Sequence, residues 1–324
     1  MGKKKTLNYA KYGYIFSIPF VVAYLIFSFY PIINTFLIAF SDLVGPARKD
    51  YNFLTGDIFE NFKKVLNNPI FKKAFMNTLK LWICNFIPQM IIALLLTAWF
   101  TDTRSKVKGQ GFFKVVFYMP NIITAATVAI LFSTLFGDPV GPMNDLLKTL
   151  GFIDKPVKFL TKANVAQNIV IYIQTWMWFG YTMITLISGV IGIDPAIFEA
   201  AEMDGSNRFQ TFIYITIPCI RTIMLFTLVT SLIGGLNMFD IPKLFIANSG
   251  PNYATYTTSV FIQSKAFEGR NLRNEAAAAS LIMFVIIVIC SAVLFYIMRD
   301  KDEAEARKLR KQALKQAKLA SKGV

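Results

Sequence analysis

Histidine is absent from this 324-residue chain, cysteine occurs only three times, and aspartate plus glutamate number 19 against 34 lysines and arginines. Without histidine the commonest general base and the commonest metal ligand are both missing, which counts against an intramembrane zinc protease or a triad hydrolase. Cys84, Cys219 and Cys290 show no Cys-x-x-Cys spacing and are expected as small, buried, reduced thiols that say nothing of compartment. No Gly-x-x-x-x-Gly-Lys-Ser/Thr occurs, so the chain has no loop of its own to cradle ATP phosphates. Nor do carboxylates stand in the middle of its apolar runs, where an ion-coupled carrier would often need them to relay protons. Charge of any kind is scarce, at 16% of residues against 55% hydrophobic.

The apolar residues are gathered into long runs, and the mean hydropathy is +0.49. A hydrocarbon core of about 30 Å takes about 20 mostly apolar residues in a helix. Six stretches qualify, at 14–40, 80–100, 115–136, 169–193, 222–239 and 276–298. The expectation is an all-α polytopic membrane protein with six transmembrane helices between a tail at 1–11 and a basic tail at 299–324. The N-terminal run follows Lys3, Lys4, Lys5 and Lys11 and is far longer than the core of a signal peptide, so it is expected to remain as an anchor. Lys80 and Arg221 fall near the ends of these runs and are expected to snorkel to the interface. Pro19, Pro31, Pro88, Gly180, Gly189, Gly234 and Gly235 interrupt them; broken helices are tolerated where they pack on protein or line a cavity.

The net charge of +15 invites a nucleic-acid reading, but its distribution does not support one. The stretch after Met298 holds nine Lys/Arg against four acids, the pattern of an anchor beside anionic lipid. A partner-binding role for that stretch is the alternative. Six spans put both basic termini on one side, the cytoplasm, together with the loop at 101–114. The loop at 194–211 should lie there too, yet it is acidic, so it serves something other than anchoring.

In that loop Asp194 is a good N-cap, Pro195 suits the first helical position, and Gly205 suits the left-handed residue past a helix end. A short helix over 195–205 follows, with Glu199 and Asp204 projecting charge and the small pair Ala200–Ala201 admitting a close neighbour. The segment Glu199-Ala200-Ala201-x-x-Asp204-Gly205, nine residues, then Ile215-x-Ile217-Pro218 resembles the Glu-Ala-Ala loop of ABC importer permeases, with Ile217 for the usual Leu. Tyr30-Pro31, Ser41-Asp42, Asn77-Thr78-Leu79, Tyr118-Met119-Pro120 and Phe239-Asp240…Gly250-Pro251 extend the likeness to the carbohydrate branch, and within it to the maltose/lactose/glycerol-phosphate type, over about residues 12–298.

This resemblance implies a permease subunit in the cell membrane that moves a sugar or oligosaccharide inward, with glycerol phosphate or another small solute as the alternative cargo. It implies a second, similar permease, two ABC ATPase subunits that bind the ATP and magnesium, an extracytoplasmic sugar-binding protein, and no cofactor or catalytic site in this chain. Glu199, Ala200, Ala201, Asp204 and Gly205 would form the coupling helix that meets the ATPase. By spacing alone, Gln174, Trp178 and Tyr181 share one helical face. The resemblance assigns Asn121, Gln174, Trp178, Ser231, Gly235, Asn237 and Met238 to the sugar path, and Tyr181 is added from the shared face. Against this stands a plainer reading, in which Trp176 and Trp178 pack or face lipid, Asn and Gln only bridge helices, and the partner permease holds the ligand.

Overall fold

The computed structural model describes residues 10–48, 50–102, 104, 107–137 and 141–298. The tail expected after Met298 and the first nine residues lie outside them. Among the described residues the chain is helical, and its one strand-like feature is an isolated bridge between Ser41 and Phe53.

Among the described residues, five helices are long and apolar enough to cross a membrane: Tyr12–Ala39, Pro69–Thr101, Ala163–Ile191, Arg221–Leu244 and Arg273–Met298. The sixth expected span is not one helix. It is a pair, Gln110–Ile122 and Ala125–Leu135, bent by 88°. Ile123 and Thr124 between them are extended, and the Thr124 hydroxyl accepts from the Thr127 N–H to start the second piece. The fifth span is also interrupted. Helix Arg221–Leu236 stops, Phe239 leaves helical geometry, and a short helix Asp240–Leu244 resumes.

The chain divides into two compact units. The first comprises residues up to Lys73 with Ser259–Phe284. Its interior polar anchor is Asn61, 1% exposed, whose amide donates to the carbonyls of Ala39 (2.9 Å) and Ser41 (2.8 Å) and accepts from Asn274 (3.0 Å). Phe71 and Phe261 meet edge to face at 5.3 Å. At its surface, the Asn52 backbone N–H and then the Arg48 guanidinium hold the Asp42 carboxyl below its ordinary pKa.

The second unit, Ala74–Thr258 with residues from Val285, contains the middle spans and the later part of the Arg273–Met298 helix. One core gathers Leu81, Val128, Phe132, Val170, Ile173, Met177, Ile241 and Phe245; another gathers Ala93, Phe100, Met183, Leu186, Val190 and Ile220. Polar residues in this unit find partners across helices, because an unpaired group away from water costs several kilocalories. Gln167 donates to the Ala254 carbonyl (2.7 Å) and to Asn77 (3.3 Å). Asn77 in turn donates to the Tyr253 and Tyr256 carbonyls at 2.7 and 3.1 Å. Thr78 accepts from the Thr258 N–H at 2.9 Å. The motif around Asn77 therefore pins the irregular segment after Gly250.

Two expectations change here. Lys80 lies within a helix that already begins at Pro69, and its ammonium does not reach out alone but donates to Gln167 at 2.6 Å. The cysteines are free, but Cys84 and Cys219 lie at the surface and Cys290 is half-buried. Arg221 does sit at a helix start, with its guanidinium 3.3 Å from the Ile297 carbonyl.

Gly180 is the tightest crossing. A Cβ built there would lie 1.9 Å from the Phe117 carbonyl oxygen, so the Gln110–Ile122 and Ala163–Ile191 helices touch backbone to backbone. Gly180→Ala must force them apart, at a cost of about 1–3 kcal/mol for overpacking. The expected result is a lower melting temperature of the purified protein. Gly111→Ala, where an added Cβ meets nothing within 4 Å, serves as the control and leaves it unchanged or higher.

Candidate functional site

The second unit encloses a cavity of about 420 Å³, within the range of small-molecule sites. Gln174, Trp178, Tyr181, Ser231, Gly235, Asn237 and Met238 all line it, as do Trp82, Asn85, Gln89 and Asp240. Asn121 does not: it sits in the last turn before the 88° bend, outside the lining. The lining is aromatic and amide-rich. Its one ionisable acidic or basic side chain is Asp240, apart from the weakly acidic tyrosine.

The local folding explains what each group presents. Trp178 donates from its indole nitrogen to Gln174 Oε1 at 3.2 Å, one helical turn away, which fixes the amide and leaves its NH2 for a guest. Tyr181 stands edge-on to Trp178 at 6.0 Å. Trp176, on another face, packs instead against Phe132 at 5.7 Å. The two tryptophans thus have different work. Asn237 caps the broken helix by donating one amide N–H to the Ile233 carbonyl at 2.9 Å, so its amide oxygen and second N–H are what it can offer. Trp82 donates to Ser231 Oγ at 3.3 Å and lies against Gly235, where a Cβ would come within 2.0 Å of the ring. Gly235 is therefore a socket for an indole.

Trp82, Asn85 and Gln89 escaped the sequence reading. They recur at i, i+3 and i+7, one face of a helix, and that spacing of amides and an indole in an apolar run was the available signal. Asn85 is 5% exposed, while Gln89 is engaged with Thr182 at 2.7 Å.

A second feature stands at the other end of these helices. Helix Pro195–Met203 is capped as its residues predict: Asp194 accepts from the Ala196 N–H at 3.0 Å, and Gly205 has φ +78°. The Ser206 N–H reaches the Ala201 carbonyl and the Gly205 N–H the Glu202 carbonyl, both at 3.0 Å, the paired bonds of a Schellman turn. An Asn207–Gln210 capping box starts the next helix at once. Glu199, Ala200, Asp204 and Gly205 face outward, and Met203 is 88% exposed. Ala201 does not share that face. It is 5% exposed, and its carbonyl takes both the Ser206 N–H and the Ser206 hydroxyl, so the expected small pair is split and Ala200 alone is presented. Phe198 packs inward on the core around Phe100 and Leu186.

Comparison with known proteins adds four findings. The profile of the binding-protein-dependent transport system inner membrane component family matches residues 65–301. The chain is similar to the lactose transport system permease protein LacF of Rhizobium radiobacter, 29% identical over 89% of this chain and 94% of that protein. It is also similar to the arabinooligosaccharides transport system permease protein AraP of Bacillus subtilis, at 27% over 85% of each. A solved chain from a bacterial alginate ABC transporter in complex with its pentasaccharide-bound periplasmic protein superposes with a TM-score of 0.73, at 26% identity over 88% of this chain and 93% of that one.

Proposed function

Because the chain belongs to the binding-protein-dependent transport system inner membrane component family, we propose that it is the permease subunit of an ATP-driven importer for a neutral sugar or oligosaccharide. The observation that carries this reading is the cavity. Amide, hydroxyl and indole groups converge there from three helices, which suits a cargo recognised by hydrogen bonds and by stacking on aromatic faces. Relatives whose names specify lactose and arabinooligosaccharides support the same class of cargo.

The lining also argues on charge. A phosphate or carboxylate in the cavity would meet Asp240 and no lysine or arginine. A like charge without a partner is repelled, more strongly as water is excluded. Glycerol phosphate is disfavoured on that ground, and the cargo differs in charge from the acidic polysaccharide named for a structural neighbour.

Energy enters from outside the chain, which has no phosphate loop. Two partner ATPases bind ATP and magnesium. The outward face of Pro195–Met203 docks on one of them, and both basic termini lie on that cytoplasmic side. A second permease completes the pore, and an extracytoplasmic binding protein delivers the sugar. Closure of the ATPase dimer then moves the docked helix and opens the cavity to the other side.

The test is sugar uptake by the complete transporter in liposomes. Gln174→Ala and Asn237→Ala each remove a ligand hydrogen bond worth about 0.5–1.5 kcal/mol, so each should slow uptake roughly two- to tenfold. Subunit co-purification should be unchanged, and Asn121→Ala, outside the cavity, should transport at the wild-type rate. Wild-type uptake by both cavity variants would move the ligand site to the partner permease.

A further inference from the structure

The Pro69–Thr101 helix ends where the Pro195–Met203 helix turns back. Between them lies a second cavity, about 570 Å³, walled by apolar residues including Leu95, Trp99, Phe198 and Phe212. Four charges complete its lining, and they pair across the gap. Arg208 reaches Asp102 at 3.1 Å, and Arg104 reaches Glu202 at 3.2 Å. Arg104 also donates to the Ser206 carbonyl at 2.8 Å. The two pairs thus hold the docking hairpin on both sides of the Gly205 turn: Glu202 and Ser206 at the end of one helix, Arg208 at the start of the next.

As stabilising devices such pairs are weak, about 0–1 kcal/mol each at a surface. Their placement gives them another use. Asp102 and Arg104 are the more sheltered partners, at 16% and 29% side-chain exposure, and they follow directly on the last turn of the second span. That turn is further tied by Gln110, which donates to the Phe100 carbonyl. The same helix carries Trp82, Asn85 and Gln89 into the ligand cavity, roughly 20–30 Å away at 1.5 Å per residue. The hollow between the two helices leaves room for the hairpin to rock, and a rigid helix delivers at its far end what is imposed on its near end.

We infer that the Asp102–Arg208 and Arg104–Glu202 pairs are a latch that carries the stroke of the docking helix into the second span and so moves the Trp82–Asn85–Gln89 wall of the cavity. Asp102 and Arg104 are positioning residues in this account, acting on the sugar through that wall. The inference rests on Pro195–Met203 being the docking helix.

The experiment is a charge swap in the full transporter, reading sugar uptake, binding-protein-stimulated ATPase, basal ATPase and subunit co-purification. Asp102→Arg and Arg208→Asp each set like charges face to face, and each should lower uptake and stimulated ATPase by roughly fivefold. Basal ATPase and co-purification should hold, because neither residue lies on the outward docking face. The double swap rebuilds the pair reversed and should restore most of the loss. Single variants that transport normally, or a double variant no better than the singles, would overturn the latch. A wild-type complex whose ATPase does not respond to the binding protein would instead overturn the docking reading beneath it.

Discussion

A polar group in a membrane has no water to fall back on, and the arrangement of this chain follows from that constraint. An amide or hydroxyl inside a span is costly unless it finds a partner in the protein or faces a wet cavity. Gln167, Asn77, Thr78 and Thr258 take the first course, and in doing so they tie the irregular 248–258 segment to the spans. Gln174, Asn85, Asn237 and Ser231 take the second. The hydrogen bonds of Gln174, Asn237 and Ser231 within the protein leave donors or acceptors over, and all four residues line one cavity. The cavity is thus where polar groups of three helices converge with hydrogen-bonding capacity to spare.

Broken backbone serves the same end. The interruption at Asn237–Phe239 presents an amide at the cavity wall, where that amide still serves the Ile233 carbonyl. Two glycines set the dimensions. Gly180 lets helix backbones touch, and Gly235 gives the Trp82 indole a place to lie. Gly235 lies between two cavity walls, so enlarging it alters the distance between polar groups, whereas Gly180 sets the approach of the Ala163–Ile191 helix, one of those walls, to its neighbour outside the lining.

Much of this was legible in the residues. Long apolar runs gave the spans, since their length answers directly to bilayer thickness. Asp194, Pro195 and Gly205 marked the short helix because capping chemistry is local, and the structure has each in that role. What was hidden depended on tertiary contact. The run at 115–136 is apolar throughout, so composition could not reveal the 88° bend at Ile123–Thr124. Ala200 and Ala201 are alike in sequence, and only packing against Ser206 sends one inward. Lys80 read as a residue that snorkels to the interface, and its partner Gln167, distant in sequence, was not visible in the run. Asn121 occupies a position that the resemblance assigns to the sugar, yet the bend leaves it outside the lining.

The central claim is that the sharply turned Pro195–Met203 helix is the point at which partner ATPases drive this chain, and Gly205 tests it most directly. Its φ of +78° costs a β-branched residue about 1–2 kcal/mol or more, whereas asparagine visits that region readily. No neighbour lies within 4 Å of an added Cβ, so the two substitutions differ in backbone preference and not in steric clash with the rest of the chain. Uptake and ATPase co-purification should be measured for Gly205→Val and Gly205→Asn in the same reconstituted system. The account predicts that valine releases the ATPase and abolishes uptake while asparagine keeps both. A valine variant that retains its ATPase and transports at the wild-type rate would contradict it.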